Sequence, residues 1–238
     1  DASMAKLIDT AGVDIVLIGD SLGMVIKGAE NTRSVSMKDM IYHTEIVAKA
    51  CKQALVIADM PFHSYENSKT ALANAKELIN NGANMVKIEG GSENIGVIKA
   101  LVSDGINVCG HLGLQPQLVV DSSGYKVQGR DEDSAQTILD NAKLLDSLGV
   151  SILVLECVPS DLAKLITNKL KIPTIGIGAG KNCDGQVLVS YDMLGITLGK
   201  QPRFVRNFLT TESSISSAIK AFVSEVKEGS FPNKSESY

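Results

Sequence analysis

Residues 69–91, KTALANAKELINNGANMVKIEGG, decide the fold. From Lys69 to Asn81 the apolar positions recur at helical spacing, and Gly82 stops the run. Asn84 to Ile88 then reads as a strand that carries charge near its end, at Lys87 and Glu89. The same helix-then-strand pair repeats outward in both directions. Upstream, a helix behind Ser3 uses Met4, Leu7, Ile8 and Ala11 and closes at Gly12 before a strand from Val13 to Ile18. A second helix from about Met37 to Cys51 leads into Ala54 to Ala58. Downstream, helix 92–103 leads into Asn107 to His111, helix 134–148 into Ser151 to Cys157, and helix 160–170 into Pro173 to Ile177. Alternation of this kind predicts parallel βαβ units whose sheet is covered on both faces.

Six strands are clear, a weaker seventh is expected near Met193 to Thr197, and a helix from about Ser213 to Lys227 follows. Because the chain opens on a helix, the pattern predicts a (βα)8 barrel whose first strand would lie upstream of Asp1. An open doubly wound sheet is the alternative, but no Gly-rich fingerprint marks an early strand-to-helix turn. The expected organisation is one barrel domain over 1–228 and a loose tail over 229–238. The polar stretch 121–133, DSSGYKVQGRDED, reads as a loop that could help close a site.

Length and composition fit this class and exclude others. A chain of 238 residues accommodates one large α/β barrel, and 44% hydrophobic with 21% charged residues is an ordinary globular balance. With 23 basic against 27 acidic residues, 4% aromatics and no Trp, neither a positive field nor stacking residues are available for nucleic acid. The longest apolar stretches, such as Val150 to Val158 with Ser151 and Glu156 inside it, are too short to span a bilayer, so no membrane partner is expected. Cys51, Cys109, Cys157 and Cys183 form no C-x-x-C pair, which fits a reducing, cytoplasmic setting. No signal or transit peptide is visible.

In parallel α/β folds sites are built at the carboxyl ends of strands, and here those ends carry acids. Asp20, followed by Ser21, closes the first strand, Asp59 the second and Glu89 the third. Three carboxylates on adjacent strands repel one another unless a cation sits among them, and an all-oxygen donor set favours Mg2+. The competing reading makes Asp20 and Asp59 helix N-caps, but Glu89 is followed by Gly90 and Gly91 and is a poor cap. Lys87 shares a strand face with Glu89, so it is either that acid's buried partner or a cation placed for a small anionic substrate. Glu156, ending an otherwise apolar strand, is the candidate proton carrier. His111 is a secondary candidate, more simply a hydrogen-bonded core histidine. The run Gly176 to Gly180 has the wrong spacing for a dinucleotide loop, and His43 and His63 read as solvated.

With these residues in view, the chain resembles the ketopantoate hydroxymethyltransferase family nearly end to end. The blocks that carry the resemblance are GDSLGM at 19–24, YHT at 42–44, ADMPF at 58–62, GANMVKIEGG at 82–91, VCGHLGL at 108–114, GYKVQGR at 124–130, LVLECVP at 153–159 and IGIGAG at 175–180. The resemblance implies a barrel of the phosphoenolpyruvate/pyruvate superfamily, assembled into a homo-oligomer, a decamer in bacterial members. It implies Mg2+ held at Asp20 and Asp59, with Glu89 reaching the ion directly or through water. The oxo acid would contact Ser21 and Lys87 as well as the metal, and Glu156 matches the family's proton acceptor. The implied reaction is hydroxymethyl transfer from 5,10-methylenetetrahydrofolate to 3-methyl-2-oxobutanoate, giving 2-dehydropantoate for pantothenate biosynthesis through a Mg-stabilised enolate. No residues that grip the folate stand out. Two other functions fit the same residues: a metal-dependent carbon–carbon lyase on a small oxo acid, and a catalytically silent barrel if the first strand is absent.

Overall fold

The computed structural model describes residues 1–120, 125–197 and 201–238. The first helix, α1 (Ala2–Thr10), leads to strand β1 (Ile15–Ile18) and a short helix α2 (Leu22–Val25). Then come α3 (Met37–Ala50), β2 (Leu55–Asp59), α4 (Ser68–Asn80), β3 (Met85–Glu89), α5 (Ile95–Ser103) and β4 (Val108–Gly113). The second half runs α6 (Glu132–Ser147), β5 (Ile152–Glu156), α7 (Ser160–Lys169), β6 (Thr174–Ile177), β7 (Gly185–Gln186), α8 (Ser190–Met193) and α9 (Ile215–Glu228). All seven strands are parallel and pair in chain order, from β1 to β7, with consecutive strands neighbouring. The result is a barrel-like α/β sheet, one strand short of eight among the described residues.

Helix starts are set by local polar chemistry. Ser36 and Asp39 form a reciprocal capping box on α3, and Asn67 accepts the Thr70 N–H at the start of α4. Alternate strand residues then divide between two cores. Val56, Ala58, Val86, Ile88, Val108, Leu153 and Leu155 face the helices. Ile57, Met85, Cys109, Ile152 and Val154, with Leu17, Leu55, Ile175 and Ile177 against them, fill the inside of the curved sheet. The inward set is apolar only up to a point. One step further along the strands it changes to Asp59, Lys87, Glu89, His111 and Glu156, at the carboxyl end of the sheet.

Two expectations are corrected. The seventh strand is Gly185–Gln186, not 193–197, where α8 ends at Met193 and Gly195 takes a φ of +66°. This strand is too short to announce itself by an apolar run. It is located instead by pairing with Ile175 and Gly176 and by Asp184, whose carboxylate accepts the Thr174 N–H at 2.8 Å. The segment 229–238 is also not loose. Phe231 is buried against Phe208 and Phe222, and Arg206 holds Glu236 through two bonds of 2.6 and 2.7 Å. The Ser160 N–H and hydroxyl both donate to the Tyr238 carbonyl at 2.8 Å. Phe231 belongs to an apolar cluster in which Met4 and Ile8 of α1 also pack, so α9 and α1 meet beside the sheet. At the other end of α1, the buried carboxylate of Asp9 accepts the backbone N–H groups of Lys52, Gln53 and Ala54 and ties the helix to the entry of β2.

Candidate active site

The strand register sets the site's layout. Asp59 of β2 stands level with Lys87 of β3, Glu89 of β3 with His111 of β4, and Glu156 of β5 follows one step along. Asp20 comes in just beyond β1. Its backbone N–H donates to Asp59 Oδ2 at 3.0 Å, which joins the first two strand ends directly. Neither aspartate is a helix cap: Ser21 holds the N-cap position of α2 and Asn67 that of α4. Ser21 makes no capping bond with its hydroxyl, and a Cβ built on Gly19 would meet that hydroxyl at 2.9 Å and Asp59 Oδ2 at 3.7 Å. The glycine keeps the space between these two groups open.

Lys87 is 4% exposed and lies 3.0 Å from Asp59 Oδ1, 3.9 Å from Glu89 Oε1 and 3.4 Å from His111 Nδ1. Burial alone would strip its charge, but Asp59, Glu89 and Asp20 surround it and hold its pKa above that of an ordinary lysine. The approach to Asp59 Oδ1 is close but off the line of a hydrogen bond, so that buried oxygen keeps an unused acceptor. Asp20 is pushed well above the ordinary carboxylate range by its burial and by Asp59. For Glu89, burial works upward, yet His111, Lys87 and the Gln117 N–H together hold it below its usual value. His111 is buried beside Lys87, both of which oppose its protonation. Glu156 and Glu89 outweigh them and carry it up to about 9. Its Nε2 faces Glu156 Oε2 at 3.1 Å. Glu156 is the most open of the group, with 14% of its side chain exposed.

Asp20, Asp59, Lys87, Glu89, His111 and Glu156 therefore form one connected cluster, with Ser21 at its edge. Asp20, Asp59 and Glu89 do not close round a common point, and among the described residues no three His, Cys, Asp or Glu side chains are arranged as a metal cage. Glu89 is turned toward His111 and Gln117 instead. What the donor set does fit is a hard cation that needs only two protein carboxylates and keeps open positions for water and substrate, as Mg2+ does. Asp20 and Asp59 supply that pair. The unused acceptor on Asp59 and the charge-strained Asp20 are the features a cation would relieve.

One residue of the cluster has no counterpart in the sequence reading. Gln117, in the turn Pro116–Leu118, is 2% exposed and fully bonded. Its Nε2 donates to Asp20 Oδ2 at 2.8 Å and to the Met60 carbonyl at 2.9 Å, its Oε1 accepts the Tyr65 hydroxyl at 2.6 Å, and its N–H donates to Glu89 Oε2 at 3.0 Å. No pattern distinguishes it from the half-buried Gln115 two positions earlier. Among the described residues, two non-glycine residues have positive φ, His63 at +64° and Cys157 at +49°, in the loops that follow β2 and β5. His63 pairs with Glu66 at the surface, as a solvated histidine should. The start of the 121–133 loop lies outside the described residues. No described helix is long and apolar enough to cross a membrane.

Residues 1–234 match the profile of a family described as ketopantoate hydroxymethyltransferase. The chain is 57% identical over 238 residues to the 3-methyl-2-oxobutanoate hydroxymethyltransferase of Ruthia magnifica subsp. Calyptogena magnifica, covering 100% of this chain and 92% of that one. It is 54% identical over 232 residues to the enzyme of the same name from Colwellia psychrerythraea, covering 98% and 88%. Among solved structures, a putative phosphonomutase from Burkholderia cenocepacia superposes with a TM-score of 0.58 at 16% identity, over 74% of this chain and 73% of that one. A 2,3-dimethylmalate lyase of the PEP mutase/isocitrate lyase superfamily gives 0.54 at 16% identity, over 74% and 63%. These two share the fold.

Proposed function

The chain belongs to the ketopantoate hydroxymethyltransferase family, and from that premise we propose that it transfers a hydroxymethyl group from 5,10-methylenetetrahydrofolate to 3-methyl-2-oxobutanoate, yielding 2-dehydropantoate. The observation that carries the reading is the cluster itself: a buried lysine amid three carboxylates, with a histidine–glutamate pair beside it, on the carboxyl ends of consecutive strands.

Lys87 is the cation for the carboxylate of the oxo acid, fixed in place by Asp59 and Glu89. Ser21 borders the same space. Asp20 and Asp59 are the residues that would hold Mg2+, with Glu89 near enough to act through water. Such an ion, when bound, polarises the keto carbonyl and so acidifies the adjacent carbon. Glu156 takes the proton from that carbon, C3 of the substrate. It is partly open to the site and faces His111 Nε2 at 3.1 Å. Water opens the two carbon–nitrogen bonds of the carrier's methylene bridge, leaving a hydrogen on each nitrogen and a formaldehyde-level carbon, and C3 adds to that carbon as its oxygen takes up the proton that C3 gave to Glu156. The burial of Lys87, Glu89 and His111 excludes solvent from the charges that orient the reaction.

The four free cysteines suit a reducing compartment, so the cytoplasm is the proposed setting; homo-oligomeric assembly is proposed on family membership. The deciding experiment follows deuterium from solvent into C3 of 3-methyl-2-oxobutanoate, first alone and then with methylenetetrahydrofolate. Exchange without the folate and 2-dehydropantoate with it are expected. A protein that does neither in the presence of Mg2+ does not have this function.

A further inference from the structure

A cavity of about 220 Å³ opens beside the carboxylate cluster, between the loops that follow β2, β3 and β4. Glu89 and Gln117 line it and also belong to the cluster, so a molecule seated there lies against the residues that border the oxo-acid site. Its walls are Phe62, Tyr65 and Leu118, the last 64% exposed although apolar. Its far rim holds Glu93 and Asn94. Glu93 Oε1 accepts the Gly91 N–H at 3.1 Å, and Asn94 Nδ2 donates to the Glu89 carbonyl at 2.9 Å. Each therefore keeps an oxygen for a ligand. Gly90 makes this rim possible: at φ +103° it turns the chain after β3, and a Cβ there would lie 2.2 Å from Glu93 Oε1.

We infer that this cavity seats the reduced pteridine ring of the one-carbon carrier, a site that rests on the transferase reading above. The chemistry matches at three points. A flat bicyclic ring fits between Tyr65 and Leu118, with Phe62, whose ring is packed by Arg33 at 4.1 Å and His63 at 3.8 Å, closing one side. Its edge presents amino and ring N–H donors, and the rim offers the carboxylate and amide oxygens of Glu93 and Asn94. The volume lies below the roughly 300 Å³ at which drug-sized pockets begin, so it takes the ring and leaves the rest of the carrier outside. At the mouth, the Arg33 guanidinium lies 4.1 Å from the centre of the Phe62 ring, and among the described residues no carboxylate pairs with it. It is placed to meet the carrier's anionic glutamyl tail.

The test uses Phe62→Ala, Glu93→Gln and Arg33→Gln in the full chain, with two readouts. One is the KM for methylenetetrahydrofolate together with the Kd for tetrahydrofolate by calorimetry. The other is folate-independent deuterium exchange at C3 of the oxo acid, which also reports that each variant is folded. Phe62→Ala and Glu93→Gln are expected to raise KM and Kd at least about tenfold, the scale of losing one ring-stacking or charge-assisted contact. Exchange should stay within about twofold. For Arg33→Gln the loss should appear with the glutamylated carrier and vanish with a tetrahydropterin that lacks the tail. Wild-type transfer with unchanged carrier KM and Kd in both Phe62→Ala and Glu93→Gln overturns the pteridine site alone. Failure of the wild type to transfer the unit from any folate overturns the transferase reading and this site with it.

Discussion

His111 Nε2 lies 3.1 Å from Glu156 Oε2, across the seam between β4 and β5. The same ring turns Nδ1 toward Lys87 at 3.4 Å and Glu89 at 3.5 Å. A single imidazole thus links the proposed proton acceptor to the charges proposed to hold the substrate. Glu156 can receive a proton at the open side of the site while its other side faces the imidazole.

Replacing Glu156 with Gln keeps shape and removes the base. Deuterium exchange at C3 is expected to fall by about 10²–10⁴-fold, the range for losing a positioned general base, with oxo-acid binding by calorimetry nearly unchanged. Exchange at the wild-type rate would assign the proton to another group.

Lys87→Met removes the cation that faces Asp59 at 3.0 Å and that Glu89 shares with His111. Because it leaves buried carboxylates without compensation, stability should drop by about 3–5 kcal/mol. For a chain of this size that is a fall of roughly 6–20 °C in Tm by calorimetry. A variant as stable as the wild type would mean that the carboxylates are not charged together in the folded protein.

Asp59→Asn tests the proposed cation site. It should weaken Mg2+ and oxo-acid binding in parallel, since the proposed site needs the pair with Asp20. It also removes the neighbour that, after burial itself, does most to raise the Asp20 pKa. Unchanged Mg2+ affinity in a titration would move the ion elsewhere.

Much of the sheet was legible because a strand buried on both faces must be a continuous apolar run, as Leu153 to Leu155 is. A charge at the end of such a run then stands out, which is how Asp59, Lys87, Glu89 and Glu156 are seen to share one end of the sheet. β7 was not legible because two residues on a single-sided edge need no hydrophobic pattern. Gln117 was hidden for a different reason: its burial depends on four partners from distant segments, none of which its neighbours in sequence announce. The packing of 229–238 likewise depends on Arg206, about thirty residues away in the chain.

Asp9 provides a test of folding away from the site. Its carboxylate takes three backbone N–H bonds, from Ala54, Gln53 and Lys52, and these hold its pKa below the usual value. A carboxyl group whose pKa is lowered by folding stabilises the native state above the unfolded value of about 3.9, and this contribution fades as pH falls through the folded value. Asp9→Asn retains one acceptor oxygen but turns an NH2 toward a donor. Its urea midpoint should lie below that of the wild type at neutral pH, and the gap should narrow below about pH 4. A gap independent of pH would mean that shape, and not charge, ties α1 to β2.

Gln117 can be probed with two substitutions whose order of stability is diagnostic. The wild-type amide uses both hydrogens, toward Asp20 Oδ2 and the Met60 carbonyl, and its oxygen accepts from Tyr65. Gln117→Leu leaves the Tyr65 hydroxyl and the Met60 carbonyl unpaired, at about 1–3 kcal/mol for each buried group. Gln117→Glu keeps the shape and the bond from Tyr65 but aims a carboxylate oxygen at two acceptors, one of them an aspartate. Although it is the nearer isostere, it should be the less stable variant at pH 7. Folding would raise the pKa of the new acid, so its penalty is largest at neutral pH and eases as the pH is lowered toward 5, where a proton can be shared with Asp20. Denaturation midpoints at the two pH values decide the matter. If Gln117→Glu matches the wild type at pH 7, the amide hydrogens are not what holds Asp20 and the β2 loop together.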